Sequence, residues 1–281
     1  MRILVSVDIE GVAGVVHPEQ TRRGNADYER ARRWMTAEAN AAIRGAFAGG
    51  AKRVTVNDSH GDFRNLLQDE LDTRADVLLG KPRDLGMMAG VDADDCKAVF
   101  LVGWHARSGA AGILSHTISS FAFTRVGVNG VDAGEAALYG AVAAEFSVPV
   151  ALFTGDDAFV EETAPLFPGA IGVVVKQAHG NRVATSLSQT AACDAIEAGA
   201  REAAGKCLSL NVQPLATPAS VRVEATTVAL ADLFATLPIV RRVDALVLEF
   251  RAPTMRYAVR VLNSLSAMSF MLRSRTWGSE P

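Results

Sequence analysis

The chain of 281 residues is long enough for one large α/β domain or for a large and a small one. Its 28 basic and 31 acidic residues give a net charge of -3 with no long run of Lys or Arg, so we expect no nucleic-acid partner. No apolar stretch approaches the ~18 residues that a membrane span requires, so we expect no membrane partner. The three cysteines lack CxxC spacing, which favours a reducing compartment and predicts a cytoplasmic location.

The first part of the chain alternates short apolar strands with helical or irregular segments. Strands are predicted at residues 3–7, 53–56, 75–79 and 98–102, and a helix at residues 28–47 that Gly49 and Gly50 end. Parallel neighbours in a sheet need long connections on the sheet faces, and this alternation supplies them. We therefore predict an α/β fold with a mainly parallel sheet flanked by helices.

The pattern changes beyond residue 118. The elements predicted next are an extended segment at residues 119–128, helices at 133–146, 156–166 and 188–204, and strands at 148–153 and 172–175, with Gly205 ending the last helix. Pro214 and Pro218 then indicate a boundary between two portions of the chain. The elements predicted beyond it are strands at 221–225 and 245–250 and helices at 230–235 and 255–271. The sequence thus predicts an α/β domain over residues 1–212 and a smaller α+β portion over residues 213–281, either separate or part of the same domain. The polar tail from Arg273 onward is expected to be loosely held.

Two acidic residues follow the first predicted strand. Because strand side chains alternate, Asp8 and Glu10 point to the same side. They also lie at the carboxyl end of the strand, where ligands gather in open parallel sheets. A D-x-E pair alone is a weak signal, and a solvated strand end with one helix-capping acid is an equal alternative.

Two histidines follow other predicted strands in the same way. His60 comes just after the strand at residues 53–56, and His105 just after the strand at residues 98–102. The chain has only five histidines, so this coincidence favours metal ligation over isolated core histidines. Imidazole nitrogens and carboxylate oxygens are ligands that Zn²⁺ prefers, and a carboxylate can bridge two such ions. We therefore predict a site for two Zn²⁺ ions with Asp8 as the bridging residue; Mn²⁺ or Co²⁺ would also suit this ligand set.

The segment between residues 112 and 135 adds further candidates. Glu135 lies in the first turn of a predicted helix, where an acid also suits the helix dipole, and the pattern does not choose between it and Asp132 as a ligand. His116 suits proton transfer, or donation of a hydrogen bond to a developing oxyanion, and the alternative is a structural histidine. The remaining histidines, His17 and His179, are expected at the surface.

Two further acids follow the strand predicted at residues 148–153. Asp156 and Asp157 are candidates for binding the ammonium group of a substrate. The alternative is that they cap the helix that follows, which is the better explanation for one of them.

Five motifs occur in an order that is typical of one family. They are SVDIEGVAG, VNDSHGD, GWHARSG, GILSHT and VNGVDAGE, and the segments at residues 25–47, 154–157 and 173–188 add to them. With these motifs the sequence resembles the D-aminopeptidase family over most of residues 1–205 and, more weakly, beyond them. The resemblance implies metal ligands at Asp8, Glu10, His60, His105 and Glu135 and a catalytic histidine at His116. It thereby selects Glu135 over Asp132.

The function that the resemblance implies is that of a zinc-dependent aminopeptidase releasing an N-terminal D-residue, typically D-alanine, from short peptides or amides. It also implies a ring-shaped homo-oligomer, a pentamer or decamer. His116 is sometimes assigned as a nucleophile in this family, but with a metal-activated water available we expect an acid–base or oxyanion-binding role.

Three other functions stay open at this point. A metal-dependent amidohydrolase or esterase would use the same scaffold on a substrate without a free amino terminus. A non-catalytic metal-binding protein would bind Zn²⁺ without turnover. A nucleotide-binding protein is disfavoured, because no glycine-rich phosphate loop follows the first strand.

Overall fold

The computed structural model describes residues 1–273. The polar tail predicted from Arg273 onward therefore lies outside the described residues, apart from Arg273 itself, which ends a helix. Within residues 1–273 the chain forms two sheets and six α-helices around two hydrophobic cores. No helix in this range is long and apolar enough to cross a membrane.

The larger sheet has seven strands. From edge to edge they are β3 (Ala75–Leu78), β2 (Arg53–Asp58), β1 (Arg2–Val7), β4 (Cys96–Val102), β7 (Val150–Asp156), β8 (Ile171–Gly180) and β9 (Val183–Ser186). All neighbouring pairs are parallel except β8 and β9, which form an antiparallel hairpin at the edge. This confirms the predicted mainly parallel sheet. The inner strand β1 is an almost continuous buried apolar run, as expected where helices or loops cover both faces.

Two helices, α1 (Ala26–Ala48) and α4 (Gln189–Lys206), pack side by side on one face of this sheet. The contact is close: a Cβ atom on Gly45 would clash with the carbonyl oxygen of Glu197. Gly49 caps the end of α1, as predicted. The prediction that Gly205 ends α4 is wrong, because the helix continues to Lys206. One glycine costs a helix only ~1 kcal/mol, which the buried alanines of the preceding turn offset.

The smaller sheet has five antiparallel strands. In order they are β11 (Arg241–Arg242), β12 (Val247–Ala252), β10 (Ala219–Ala225), β5 (Phe123–Val128) and β6 (Val131–Asp132). Helices α5 (Val228–Phe234) and α6 (Met255–Arg273) pack on this sheet. Residues 219–273 thus form the α+β portion that the sequence predicts. Because β5 and β6 come from the earlier part of the chain, the division into domains at residue 212 stays a prediction.

The two remaining helices, α2 (Glu135–Glu145) and α3 (Asp157–Thr163), lie within the segments predicted as helical. Helix α2 packs against α6 and so connects the two sheets. Helix α3 is shorter than predicted, because a 3-10 turn at Ala164–Leu166 with Pro165 follows it. The strands β6, β9 and β11 were not predicted; each has only two to four residues, too few to show a periodicity.

Candidate metal centre

The five predicted metal ligands lie together at the carboxyl edge of the larger sheet. Asp8 and Glu10 follow β1, His60 follows β2, and His105 follows β4. Because β1 lies between β2 and β4, these three strand ends are adjacent. Glu135 reaches the same place from the first position of α2. All five side chains are at most 14% exposed.

His60 faces two carboxylates through one ring nitrogen. Its Nδ1 lies 3.1 Å from Asp8 Oδ1 and 3.0 Å from Glu10 Oε2. Its Nε2 lies 2.8 Å from the carbonyl oxygen of Thr21, and because a carbonyl only accepts, Nε2 carries the proton of the neutral ring. In the neutral ring Nδ1 then presents a lone pair to two carboxylates, an arrangement that a second ring proton or a metal cation between them would stabilise.

His105 repeats this arrangement on the other side of Asp8. Its Nδ1 donates to the carbonyl oxygen of Ala106 at 3.0 Å. Its buried Nε2 has no hydrogen-bond partner among residues 1–273 and lies 3.5 Å from both Asp8 Oδ2 and Glu135 Oε2. Asp8 thus turns one carboxylate oxygen toward each histidine, as a carboxylate that bridges two cations does.

The separations within the cluster fit a zinc site. Ligand atoms at ~2.0–2.2 Å from a tetrahedral zinc ion lie ~3.4 Å apart. The nitrogen–oxygen distances here are 3.0–3.5 Å. Two overlapping groups have ligand atoms within 4.8 Å of one another, and they consist of Asp8, Glu10 and His105 and of His105, His116 and Glu135. The donor atoms and their spacing therefore suit one or two zinc ions.

The pKa values of these groups reflect their mutual charge. Burial, together with the charge of Glu10, raises the pKa of Asp8 to about 7. Burial alone would lower the pKa of His105, but the charge of the nearby Glu135 outweighs it and raises the pKa to about 10. Burial opposes protonation of His60 too, yet the charge of Glu10 holds its pKa well above the usual value. The cluster therefore binds positive charge strongly, either as protons or as a metal cation.

His116 packs directly against this cluster. Its ring stacks on His105 with centroids 4.1 Å apart. Its Nδ1 donates to the carbonyl oxygen of Leu114 at 2.9 Å, and its Nε2 lies 3.8 Å from Glu135 Oε1. Burial and then the charge of His105 lower the pKa of His116. The ring is therefore neutral at neutral pH, with Nε2 as the nitrogen that accepts a proton.

A cavity of about 450 Å³ leads to the cluster. Its acidic and imidazole lining consists of Asp8, Glu10, His60, His116 and Glu135. Apolar side chains form another part of the wall, and they are Phe63, Met87, Ile118 and Phe270. The volume is in the range of pockets that enclose small organic ligands, and it is large enough for a short peptide.

Comparison with known proteins decides the family. The sequence model of the D-aminopeptidase family matches residues 1–264 of this chain. The chain belongs to the D-aminopeptidase family. A D-aminopeptidase of Bacillus subtilis (strain 168) is 35% identical over 188 residues, which are 67% of this chain and 68% of that protein. A solved structure, described as the Zn-dependent D-aminopeptidase DppA from Bacillus subtilis, a self-compartmentalizing protease, matches with a TM-score of 0.92 and 27% identity over 96% of this chain and 98% of that one.

Membership in the D-aminopeptidase family confirms three predictions made from the motifs: the family, the D-aminopeptidase function and the peptidase class of enzyme. The structural match also extends through the antiparallel sheet, since it covers nearly the whole chain. The roles of individual side chains as metal ligands or catalytic groups stay predictions.

The structure does not bring Asp156 and Asp157 into the cavity. Asp156 Oδ1 accepts a hydrogen bond from the backbone of Phe159 at the start of α3, and Oδ2 accepts one from Ile113. Asp157 Oδ1 accepts one from the backbone of Ala178 at 2.8 Å. Both carboxylates thus accept hydrogen bonds from the protein's own backbone, and their role in substrate binding stays a prediction that these contacts do not support.

Lys176 in β8 supports the candidate metal centre and was not selected from the sequence. Its side chain is fully buried, and Nζ donates to the carbonyl oxygens of Glu10 at 2.6 Å, Val12 at 2.9 Å and Val15 at 2.6 Å. These bonds fix the loop that follows Glu10. The available signal was a lysine within the apolar run VVVKQ, where a charged side chain needs specific partners.

Glu38 supports the same loop from α1. Its Oε1 accepts a hydrogen bond from the backbone of Ala13 at 2.8 Å. Burial raises the pKa of Glu38 to about 7, although the bond from Ala13 and the charge of Lys176 oppose this rise. In the sequence, Glu38 lies on the apolar stripe of the helix with Met35 and Ala42, and an acid at that position is the signal that was available.

Proposed function

We propose that this chain is a zinc-dependent aminopeptidase that releases N-terminal D-amino acids, of the D-alanine type, from short peptides or amides. One observation carries this proposal: the buried Asp8 turns one carboxylate oxygen to His60 and the other to His105. A carboxylate placed between two other ligands in this way is typical of two-metal hydrolytic sites. The zinc dependence stated for the matching structure supports the same activity.

In this proposal five side chains would hold two zinc ions. Asp8, Glu10 and His60 would hold one ion, and Asp8, His105 and Glu135 would hold the other. When bound, the ions supply Lewis acidity, which polarises a scissile carbonyl and makes water a nucleophile near neutral pH. The second ring nitrogen of each histidine donates to a backbone carbonyl, which fixes the tautomer that a metal ligand needs.

His116 moves the proton in this reaction. Because its Nδ1–H is bonded to Leu114, Nε2 is the atom that takes a proton during attack and returns it to the leaving amine. After protonation, the same nitrogen donates a hydrogen bond toward the developing oxyanion. The lowered pKa of His116 keeps the ring in the neutral form that accepts a proton.

The proposal extends to assembly and location. The matching structure is described as self-compartmentalizing, and we propose that this chain forms a ring-shaped homo-oligomer, a pentamer or decamer, in the cytoplasm. Apolar side chains exposed on its surface, such as Val131 at 70% and Leu208 at 74%, are available for contacts between subunits. Analytical ultracentrifugation of the purified protein tests this, and a monomer at micromolar concentration would contradict it.

Hydrolysis of D-alanine and L-alanine p-nitroanilides tests the activity. Metal-stripped wild type and the His60→Ala variant are each assayed with and without added Zn²⁺. The control variant is His179→Ala, because His179 is exposed and its ring forms a hydrogen bond only with Thr185 among the described residues. We expect zinc to restore cleavage of the D-substrate in the wild type and in the control, but not in His60→Ala. Inductively coupled plasma mass spectrometry should find two zinc ions per chain.

Two outcomes would replace the proposal. If two metal ions bind but neither anilide is cleaved, hydrolysis of N-acetylated but not of free D-alanyl amides would favour an amidohydrolase or esterase. Stoichiometric zinc without turnover of any substrate in a broad peptide panel would indicate a non-catalytic metal-binding protein.

A further inference from the structure

One part of the cavity wall is basic and has no role in the proposed chemistry. Lys81 and Arg83 line the cavity from the loop that follows β3. The metal-binding part of the same cavity carries the carboxylates Asp8, Glu10 and Glu135. The cavity therefore has an acidic and a basic region, which suits a ligand that carries both an ammonium group and a carboxylate.

Arg83 is occupied by bonds within the wall. Its guanidinium donates to the side-chain oxygen of Asn57 and to the carbonyl oxygens of Leu78 and Gly80. The same group packs over the ring of Phe63, with 4.6 Å between the guanidinium carbon and the ring centroid. These contacts leave Arg83 as a structural part of the loop.

The ammonium group of Lys81 is held differently. No carboxylate among residues 1–273 lies within ion-pair distance of it, although the charge of Asp62 is near enough to act on it, and its side chain lines the cavity. Its Nζ lies 5.3 Å from the ring centroid of Phe63, a cation–π contact that directs the side chain along the apolar wall. Lys81 is exposed, so a ligand in the cavity reaches it without displacing protein groups.

We propose that Lys81 binds the free C-terminal carboxylate of the substrate and thereby selects short peptides over C-terminally blocked or long ones. This inference rests on the proposed aminopeptidase function and assigns the substrate class of the same cavity. Each extended residue spans ~3.3–3.6 Å, so two or three residues reach ~7–11 Å. A cavity of about 450 Å³ encloses a peptide of that length with its terminal carboxylate inside.

A matched pair of substrates tests this proposal. D-Ala-D-Ala and D-Ala-D-Ala amide share the amino group and the scissile bond and differ only in the terminal carboxylate. In the zinc-loaded wild type we expect KM to be about tenfold lower for the acid, because an ammonium–carboxylate hydrogen bond adds binding energy. The terminal carboxylate takes no part in bond breaking, so its contact with Lys81 supplies uniform binding, and KM and not kcat should carry the difference.

Substitutions at Lys81 test whether this side chain causes the difference in KM between the acid and the amide. Lys81→Met should raise KM for the acid about tenfold and make it equal to that for the amide, whereas Lys81→Arg should keep the preference. Lys97→Met is the control, because Lys97 is exposed near the amino end of β4, away from the cavity. Equal KM values for acid and amide in the wild type, or an unchanged preference in Lys81→Met, would overturn the proposal.

Failure of the proposed function is distinguishable from failure of this inference. If the wild type cleaves neither peptide, the aminopeptidase assignment is contradicted. Titration calorimetry of the same two peptides into zinc-loaded protein then decides the role of Lys81. Tighter binding of the acid that Lys81→Met abolishes supports it, and equal binding of acid and amide overturns it.

Discussion

The ring of His116 stacks on the ring of His105, with centroids 4.1 Å apart and planes inclined by 12°. Two imidazolium rings at this distance would repel each other, so the pair holds its charge unequally. Glu135 outweighs the effect of burial and raises the pKa of His105 to about 10, whereas burial and His105 lower the pKa of His116. The stacked pair therefore combines a histidine that binds positive charge with a neutral one that accepts a proton.

His116→Ala should separate proton transfer from metal binding. The substitution removes the proton acceptor but none of the five proposed ligands, so we expect kcat for D-alanine p-nitroanilide to fall by ~10²–10⁴-fold. Two zinc ions should stay bound, as measured by plasma mass spectrometry, and His179→Ala should behave as the wild type. Loss of zinc would make His116 a ligand instead, and a covalent adduct trapped on it would make it a nucleophile.

Most of the candidate metal centre could be predicted from the sequence for a topological reason. Asp8, Glu10, His60 and His105 each follow an apolar run that forms a parallel strand, and parallel strands place their carboxyl ends at one edge. Local pattern was therefore enough to bring them together. Glu135 needed the family resemblance, because it reaches the site from a helix and no strand end points to it.

The smaller sheet and the side chains that support the site depend on contacts between segments that are far apart in the sequence. The sequence does not show that β5 pairs with β10, because antiparallel pairing of separate segments depends on side-chain packing that no local period records. Nor does it show that Lys176 donates to carbonyls of the loop after Glu10, since backbone acceptors carry no sequence signal. The support of the site was thus harder to predict than its ligands.

Lys176→Met tests this support. The variant leaves the three carbonyl oxygens that bind Nζ without their buried donor, so we expect the free energy of unfolding in urea to fall by about 3 kcal/mol or more. Zinc affinity should fall as well, because the loop after Glu10 is no longer fixed. The control is Lys206→Met, which removes only an exposed ion pair with Glu202 and should change stability by less than ~1 kcal/mol. Equal unfolding midpoints for the two variants would show that the buried bonds contribute little.

Asp156→Asn and Asp157→Asn address the predicted binding of the substrate's amino group. Both carboxylates accept backbone hydrogen bonds, and Asp156 caps α3, so we expect lower stability and an unchanged KM for D-Ala-D-Ala. Loss of a helix cap costs about 1 kcal/mol, which a thermal unfolding scan detects. A clear rise in KM for either variant, with kcat and stability preserved, would restore the substrate-binding assignment.

The pH dependence of stability should carry a contribution from Glu38. Burial raises the pKa of its carboxyl from the usual 4.5 to about 7, so the folded state holds this proton more tightly than the unfolded state. The contribution to stability is therefore greatest below about pH 4.5 and is lost as the pH rises to about 7. The loss is of the order of 3 kcal/mol, since one pKa unit corresponds to about 1.4 kcal/mol.

Glu38→Gln removes this titration and keeps an oxygen that accepts from Ala13. Relative to the wild type, its free energy of unfolding should therefore increase between pH 4 and pH 7.5 and then stay level, because all other groups titrate in both proteins and cancel. Urea unfolding of the zinc-loaded proteins at a series of pH values measures this difference, with the exposed Glu161→Gln as a control that should show none. A difference that stays constant with pH would mean that the pKa of Glu38 is the same in the folded and the unfolded protein. The hydrogen bond from Ala13 and the charge of Lys176 would then balance the effect of burial on Glu38, and this carboxylate would be ionised at neutral pH beneath the loop that follows Glu10.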